Sequence, residues 1–277
     1  MAYVLVNNEI KKTAETNLSS FLWNSPSLFR QKIWFGYGGI PLFDENLANL
    51  KEQLVVHGFE QPPLFRQPRE LFRLCKRTLN KNKLFRSGHI NFQLFASETH
   101  TQLLVTTEPR EIFDFPLSDN GLLVRISELR KSSSSPLEKF SGNNDKIWQA
   151  AKHQLKNTSF NGALLLNEKG FVCEGLGANI FLLKDNMLIT PSPESGCYID
   201  VLRNLIVSLA TSMGVKVLQS DEIPKEMLFV ADEIFMASEA NGIEWILGLN
   251  SKRFIRSFSL ELHEKINALL KQKSSLQ

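Results

Sequence analysis

The sequence predicts an α+β protein in two parts. Three observations carry that reading. Residues 1–118 mix short strands with two amphipathic helices, residues 138–277 run as hairpins and helices in regular alternation, and a polar, serine-rich stretch at 119–137 lies between them. A chain of 277 residues has room for one large domain or two smaller ones, each with its own core.

In the first part, YVLVNNEI reads as strand, turn and strand, with Asn7-Asn8 at the turn. Residues 28–35 alternate and are rich in aromatics, so they form a strand. Gly36-Tyr37-Gly38-Gly39 closes it as a hairpin turn, and Ile40 to Phe43 continue the hairpin. Asp44 caps a helix over 45–57, with Leu47, Leu50, Leu54 and Val55 on one face. A second helix covers 68–80, and HINFQLFA and TQLLVTTE are apolar strands. LSDN at 117–120 and KSSSSP at 131–136 are connecting segments, with strand GLLVRISE between them. In the second part, 143–157 suits a helix. GALLLNEKGFVCEG turns at Glu168-Lys169-Gly170, and NIFLLKDNMLITP turns at Asp185-Asn186. A helix from Asp200 to Met213 ends on Gly214. Then follow strand VKVLQS, short helix IPKEMLFV, strand DEIFMAS and a last helix near 258–272.

Composition narrows the function. Charged residues are 22% and hydrophobic residues 43%, ordinary for a globular chain, and the formal net charge of +3 gives no basic stripe for nucleic acid. The basic segment 73–86 reads as a solvated helix face, and the 20 phenylalanines as packing residues, like Trp34, Trp148 and Trp245. Trp23 has no clear place in this pattern. Three scattered cysteines and five scattered histidines offer neither a disulfide framework nor a metal site. No long apolar run or leader pattern appears, so a cytoplasmic protein without a membrane span is expected. GxSxG, GxxxxGK[ST] and GxGxxG are all missing, and EGLGAN lacks a following helix.

Four pieces do stand in a specific order: ALLLN..G.V.EG....NIF, Thr190-Pro191, Arg203, and Ala231–Phe235 as ADEIF. In this order they resemble the class-IV aminotransferases, the fold-type IV pyridoxal-phosphate enzymes. These include branched-chain and D-amino-acid aminotransferases and 4-amino-4-deoxychorismate lyases. LFRQKIWFGYGGIPLFDENLANL resembles the first half of that family more faintly. The resemblance implies a two-domain fold-type IV (D-amino-acid aminotransferase-like) architecture. It also implies cofactor between the domains, an amino or oxo acid as substrate, and a homodimer.

Such a site needs three things: a lysine for the Schiff base, a carboxylate facing the protonated pyridine nitrogen, and a cationic or amide-lined pocket for the phosphate. The resemblance places the carboxylate at Glu174, five residues before Asn179. It places the lysine at Ser141, whether counted back from Ala163 or forward from Ser135-Pro136-Leu137, with Asn144 as the family asparagine. A serine hydroxyl cannot form an imine. Lys139, two residues earlier, is the candidate replacement, and Lys146 lies inside the following helix. The Gly-Ile-Thr helix start becomes Asp200-Val201-Leu202, leaving the amides of Val201 and Leu202 beside an added carboxylate. Ser238 and Glu239 fall where a phosphate-binding hydroxyl is found in the family, and Asn49 where an arginine is found. Arg30 and Asn91 also depart from the pattern. Each carboxylate near a phosphate would be repulsive by ~1–4 kcal/mol at short range.

Two readings remain open. In one, the scaffold is kept while pyridoxal-phosphate binding is weakened or lost, a pseudoenzyme that binds another small molecule or a protein. In the other, an active aminotransferase or 4-amino-4-deoxychorismate lyase uses Lys139. The coincidence of Ser141 with the altered phosphate pocket favours the first.

Overall fold

The computed structural model of the chain describes residues 2–17, 27–96 and 100–277; Trp23 lies outside them. The chain divides into two compact units, Met1–Phe115 with Ala268–Gln277, and Pro116–Asn267. The expected organisation was 1–118, a connecting segment 119–137, and 138–277. The boundary by packing falls at Phe115/Pro116, and the last ten residues return to the first unit.

The first unit holds a five-stranded antiparallel sheet in the order β2-β1-β5-β4-β3. Its strands are β1 (Tyr3–Val6), β2 (Glu9–Lys12), β3 (Ser27–Phe35), β4 (Ser87–Ala96) and β5 (Thr101–Arg110). Helices α1 (Phe43–Val56) and α2 (Pro68–Lys81) contribute to its core. Ile33, Leu50, Phe65, Leu71, Phe92 and Leu103 are buried together there. Two local expectations are corrected. Ile40 to Phe43 do not form a return strand: β3 pairs with β4, while Gly36 and Gly39 make only an isolated bridge. Tyr37 and Gly38 take φ of 53° and 77° to turn the chain, and buried Phe43 then opens α1. Asp44 is therefore not the cap. Leu42 holds that position without a side-chain bond, and Asp44 sits in the first turn, where its charge still favours the helix dipole.

The second unit carries a nine-stranded mixed sheet, β11-β10-β9-β12-β13-β6-β7-β8, with β14 (Lys252–Arg253) on β13. The two hairpins are present. β7 (Gly162–Asn167) pairs with β8 (Val172–Gly175), and β9 (Asn179–Lys184) with β10 (Met187–Pro191). Asp185 and Asn186 both have positive φ, 47° and 59°, which suits a tight two-residue hairpin turn. β11 (Lys216–Ser220) runs parallel to β10, after helix α4 (Val201–Ser212) and the left-handed Gly214. β12 (Glu233–Ser238) and β13 (Gly242–Leu249) follow the short helix α5 (Met227–Val230).

β6 (Leu122–Lys131) is an interior strand, parallel to both β13 and β7, and it runs three residues beyond the expected GLLVRISE. Its extension buries Lys131. A 3-10 turn at Pro136–Lys139 then leads into α3 (Ser141–His153), which starts two residues earlier than expected. α6 (Phe258–Ser275) ends the chain; Ser257, Phe258 and Ser259 donate their amides to Glu233, at 2.9, 2.7 and 2.9 Å. This gives the Glu of ADEIF a structural job at a helix N-terminus. Among the described residues no helix is long and apolar enough to cross a membrane.

Candidate functional site

Glu174 sits on β8 with its side chain wholly buried. A buried carboxylate needs donors for both oxygens. Oε1 accepts from the indole Nε1 of Trp148 on α3, at 2.6 Å. Oε2 accepts from the backbone amide of Tyr198, at 2.5 Å, and faces the ammonium of Lys131 at 3.2 Å. Burial pushes the Glu174 carboxyl above its ordinary range, and Lys131, the Tyr198 amide and Trp148 pull it back.

Lys131 is the residue that sequence reasoning missed. Its side chain is also wholly buried. Besides Glu174 it pairs with Glu138 at 3.1 Å and donates to the amide oxygen of Asn144. Asn144 in turn donates to the carbonyls of Glu138 (2.6 Å) and Phe140 (2.8 Å), tying α3 to the turn before it. The available signal was the extra length of β6. Alternation carried past Glu128 would have kept the strand going into the serine run.

A second cluster lies at the start of α4. Asp200 is buried and caps that helix, accepting from Leu202 N at 2.9 Å. The same Oδ1 accepts from the Glu239 amide at 3.0 Å, just past β12, and Oδ2 accepts from the Tyr198 hydroxyl at 2.8 Å. Asn179, the first residue of β9, accepts from Asp200 N at 2.9 Å and donates to the Tyr198 carbonyl. Burial raises the Asp200 carboxyl, opposed by the Leu202 amide, the Tyr198 hydroxyl and the Glu239 amide. Burial likewise raises the Tyr198 phenol, and Asp200 adds to that. Left-handed Gly196 (φ 81°) lets the loop reach this place: a Cβ there would lie 2.2 Å from the Ser132 carbonyl oxygen.

The other expected residues are placed as follows. Lys139 lies in the 3-10 turn, half-buried, with its ammonium 5.0 Å over the Phe140 ring. Ser141 is the first residue of α3, and Lys146 is exposed on the same helix. Val201 and Leu202 open α4, so the Leu202 amide points at Asp200. Ser238 and Glu239 are both buried, and the Ser238 hydroxyl accepts from Asn241 N at 3.2 Å. Asn49 lies on α1 in the first unit and accepts from Gln53 at 2.6 Å. Arg203 donates from Nη2 to the Pro191 carbonyl and to Gln219, at 2.7 and 2.8 Å. Trp148, expected as packing alone, also lines an open cleft of about 270 Å³ with Leu176, Gly177, Met236 and Asn241.

With this geometry in hand, the likeness to known proteins can be located. The family model for amino-transferase class IV matches residues 34–244. A probable branched-chain-amino-acid aminotransferase from Aquifex aeolicus is 30% identical over 103 residues, 37% of this chain and 33% of that one. The branched-chain-amino-acid aminotransferase of Salmonella typhimurium is 23% identical over 209 residues, 71% of this chain and 66% of that one. The aligned stretch thus spans a third to two-thirds of these relatives' length. The branched-chain amino acid aminotransferase of Escherichia coli superposes with a TM-score of 0.84 at 18% identity, covering 99% of this chain and 96% of that one. A putative 4-amino-4-deoxychorismate lyase from Legionella pneumophila gives 0.78 at 19% identity, covering 87% and 91%. The architecture is therefore α+β of fold-type IV.

The residues do not fit pyridoxal phosphate as they stand. The carboxylate oxygen that would take a pyridine N–H already holds an indole N–H, and the amides that would take a phosphate already hold a carboxylate.

Proposed function

The chain belongs to the amino-transferase class IV family, and we propose that within it this protein is catalytically silent. On this reading it keeps the fold without using pyridoxal phosphate for transamination or lysis, and serves as a binding protein. One observation carries the reading: Ser141 stands where the resemblance puts the Schiff-base lysine, at the first position of α3. Lys131, the buried amine beside Glu174, supports it. Its ammonium is held by Glu138, Asn144 and Glu174. An imine-forming amine must be neutral, and two carboxylates favour the charged form.

The competing reading makes Lys139 the imine lysine of an active aminotransferase or 4-amino-4-deoxychorismate lyase, acting on an amino or oxo acid. One experiment separates the two. The purified protein is mixed with pyridoxal phosphate, its visible spectrum recorded, and the mixture reduced with borohydride and mapped by mass. The silent reading expects no site-specific pyridoxyl-lysine and no aminotransferase or lyase turnover. A stoichiometric pyridoxyl group on Lys139 or Lys131, lost in the matching alanine variant, defeats it. We further propose a homodimer, as the resemblance implies, which sedimentation equilibrium checks.

A further inference from the structure

We propose that the chain fills its own cofactor positions: the Trp148 indole stands in for the protonated pyridine ring, and the Asp200 carboxylate for the phosphate. The inference rests on the silent-member reading and adds how the site is closed. It begins with what each anchor requires. Glu174 is a carboxylate out of contact with water, and a buried carboxylate lacking donors destabilises the fold. A pyridinium N–H would satisfy one oxygen. Here the N–H comes from the indole, at 2.6 Å, also from a flat aromatic ring. The second oxygen is covered by the Tyr198 amide and Lys131.

The anion anchor follows the same logic. The Leu202 amide in the first turn of α4, the Glu239 amide after β12 and the Tyr198 hydroxyl come from three separate segments and meet on one acceptor group. Converging donors of this kind at a helix N-terminus suit an anion. The anion present is covalently part of the chain. A phosphate would have to displace the Asp200 carboxylate from those donors or sit beside it, charge against charge.

The two stand-ins are joined. Tyr198 gives its amide to Glu174 and its hydroxyl to Asp200. Its ring packs edge-on against Trp148, with centroids 5.3 Å apart at 75°. Indole, phenol and carboxylate thus form a continuous chain of contacts from the ring anchor to the anion anchor. An ordinary N-cap aspartate explains only the Leu202 contact. It leaves unexplained why the Glu239 amide and the Tyr198 hydroxyl converge on the same carboxylate.

The test uses pyridoxamine 5′-phosphate, which has no aldehyde and so forms no imine with surface lysines. Its binding is measured by calorimetry to the wild type, to Trp148→Gly, to Asp200→Gly and to the double variant. The wild type should bind undetectably. The double variant should gain at least tenfold over it and exceed both single variants. A folded double variant that gains nothing overturns the inference while leaving the silent reading intact. A borohydride-trapped imine within the wild-type site overturns both. Should the double variant fail to fold, Trp148→Gly alone is probed with indole and with benzofuran, which has the same shape without the N–H. Stabilisation by indole exceeding that by benzofuran supports the ring stand-in, and equal effects of the two overturn it. Asp200→Gly alone is probed with inorganic phosphate. Saturable binding not seen in the wild type supports the anion stand-in, and its absence overturns it.

Discussion

Lys131 and Glu174 are both wholly buried and lie 3.2 Å apart, so neither charge can be removed alone without exposing the other to a poor environment. Lys131→Met should cost about 3–5 kcal/mol in urea unfolding, as breaking a buried pair does. Lys131→Arg, which keeps the charge, should cost clearly less; equal losses would count against the ion pair as the cause. The raised carboxyls also set a pH dependence. Glu174 and Asp200 are pushed above their ordinary values by burial, so between about pH 4 and their folded values the native state holds more protons than the unfolded chain. Their contribution to stability is complete below that window and is lost as pH rises through it. Asp200→Asn should flatten the fall; an unchanged slope in pH-dependent unfolding would show the group titrates normally. Glu174 was legible in the sequence because its strand motif is local and its spacing to Asn179 fixed. Lys131 was not, because a lysine heading a serine run looks solvated when read from neighbours alone. Only the parallel pairing of β6 with β7, a non-local fact, buries it.

At the scale of elements, both second-unit hairpins could be read in advance, since Asp185-Asn186 and Glu168-Lys169-Gly170 carry their own turn geometry. The stretch after Gly36 could not. Gly36-Tyr37-Gly38-Gly39 specifies a turn, yet whether the chain returns as a strand or enters α1 depends on which strand takes the free edge of β3, and β4 takes it. ADEIF illustrates a motif whose role shows only in three dimensions. Glu233 is buried at β12 and accepts three amides at the start of α6, so its charge offsets the helix dipole while capping it. Glu233→Gln keeps the shape but loses the charge and one acceptor. It should destabilise by about 1–3 kcal/mol and speed amide exchange at 257–259. Loss of stability without faster exchange there would place the effect elsewhere.

The whole molecule consists of two units with separate buried cores, and the chain returns to the first unit only in its last ten residues. That return was not legible, because the closing helix reads as one amphipathic run with no mark at Ala268. Its tail makes definite bonds. Gln277 donates to the Ile40 carbonyl and accepts from the Ile40 amide, both at 2.8 Å, and Ser274 donates to the Gly36 carbonyl at 3.2 Å. Gly39 leaves the space they need, since a Cβ there would lie 2.8 Å from both side chains. Three hydrogen bonds at about 0.5–1.5 kcal/mol each amount to roughly 2–4 kcal/mol. Deleting residues 274–277 should therefore lower hydrogen-exchange protection at 36–40, where the first unit turns from β3 toward α1. Protection around 173–175 should stay as it is, because those amides belong to the second unit's sheet. If both regions lose protection in parallel, the two units open as one cooperative body and the separate-core description fails. If only 36–40 responds, the tail is a local clasp, and the Glu174 cluster keeps its stability independently of it.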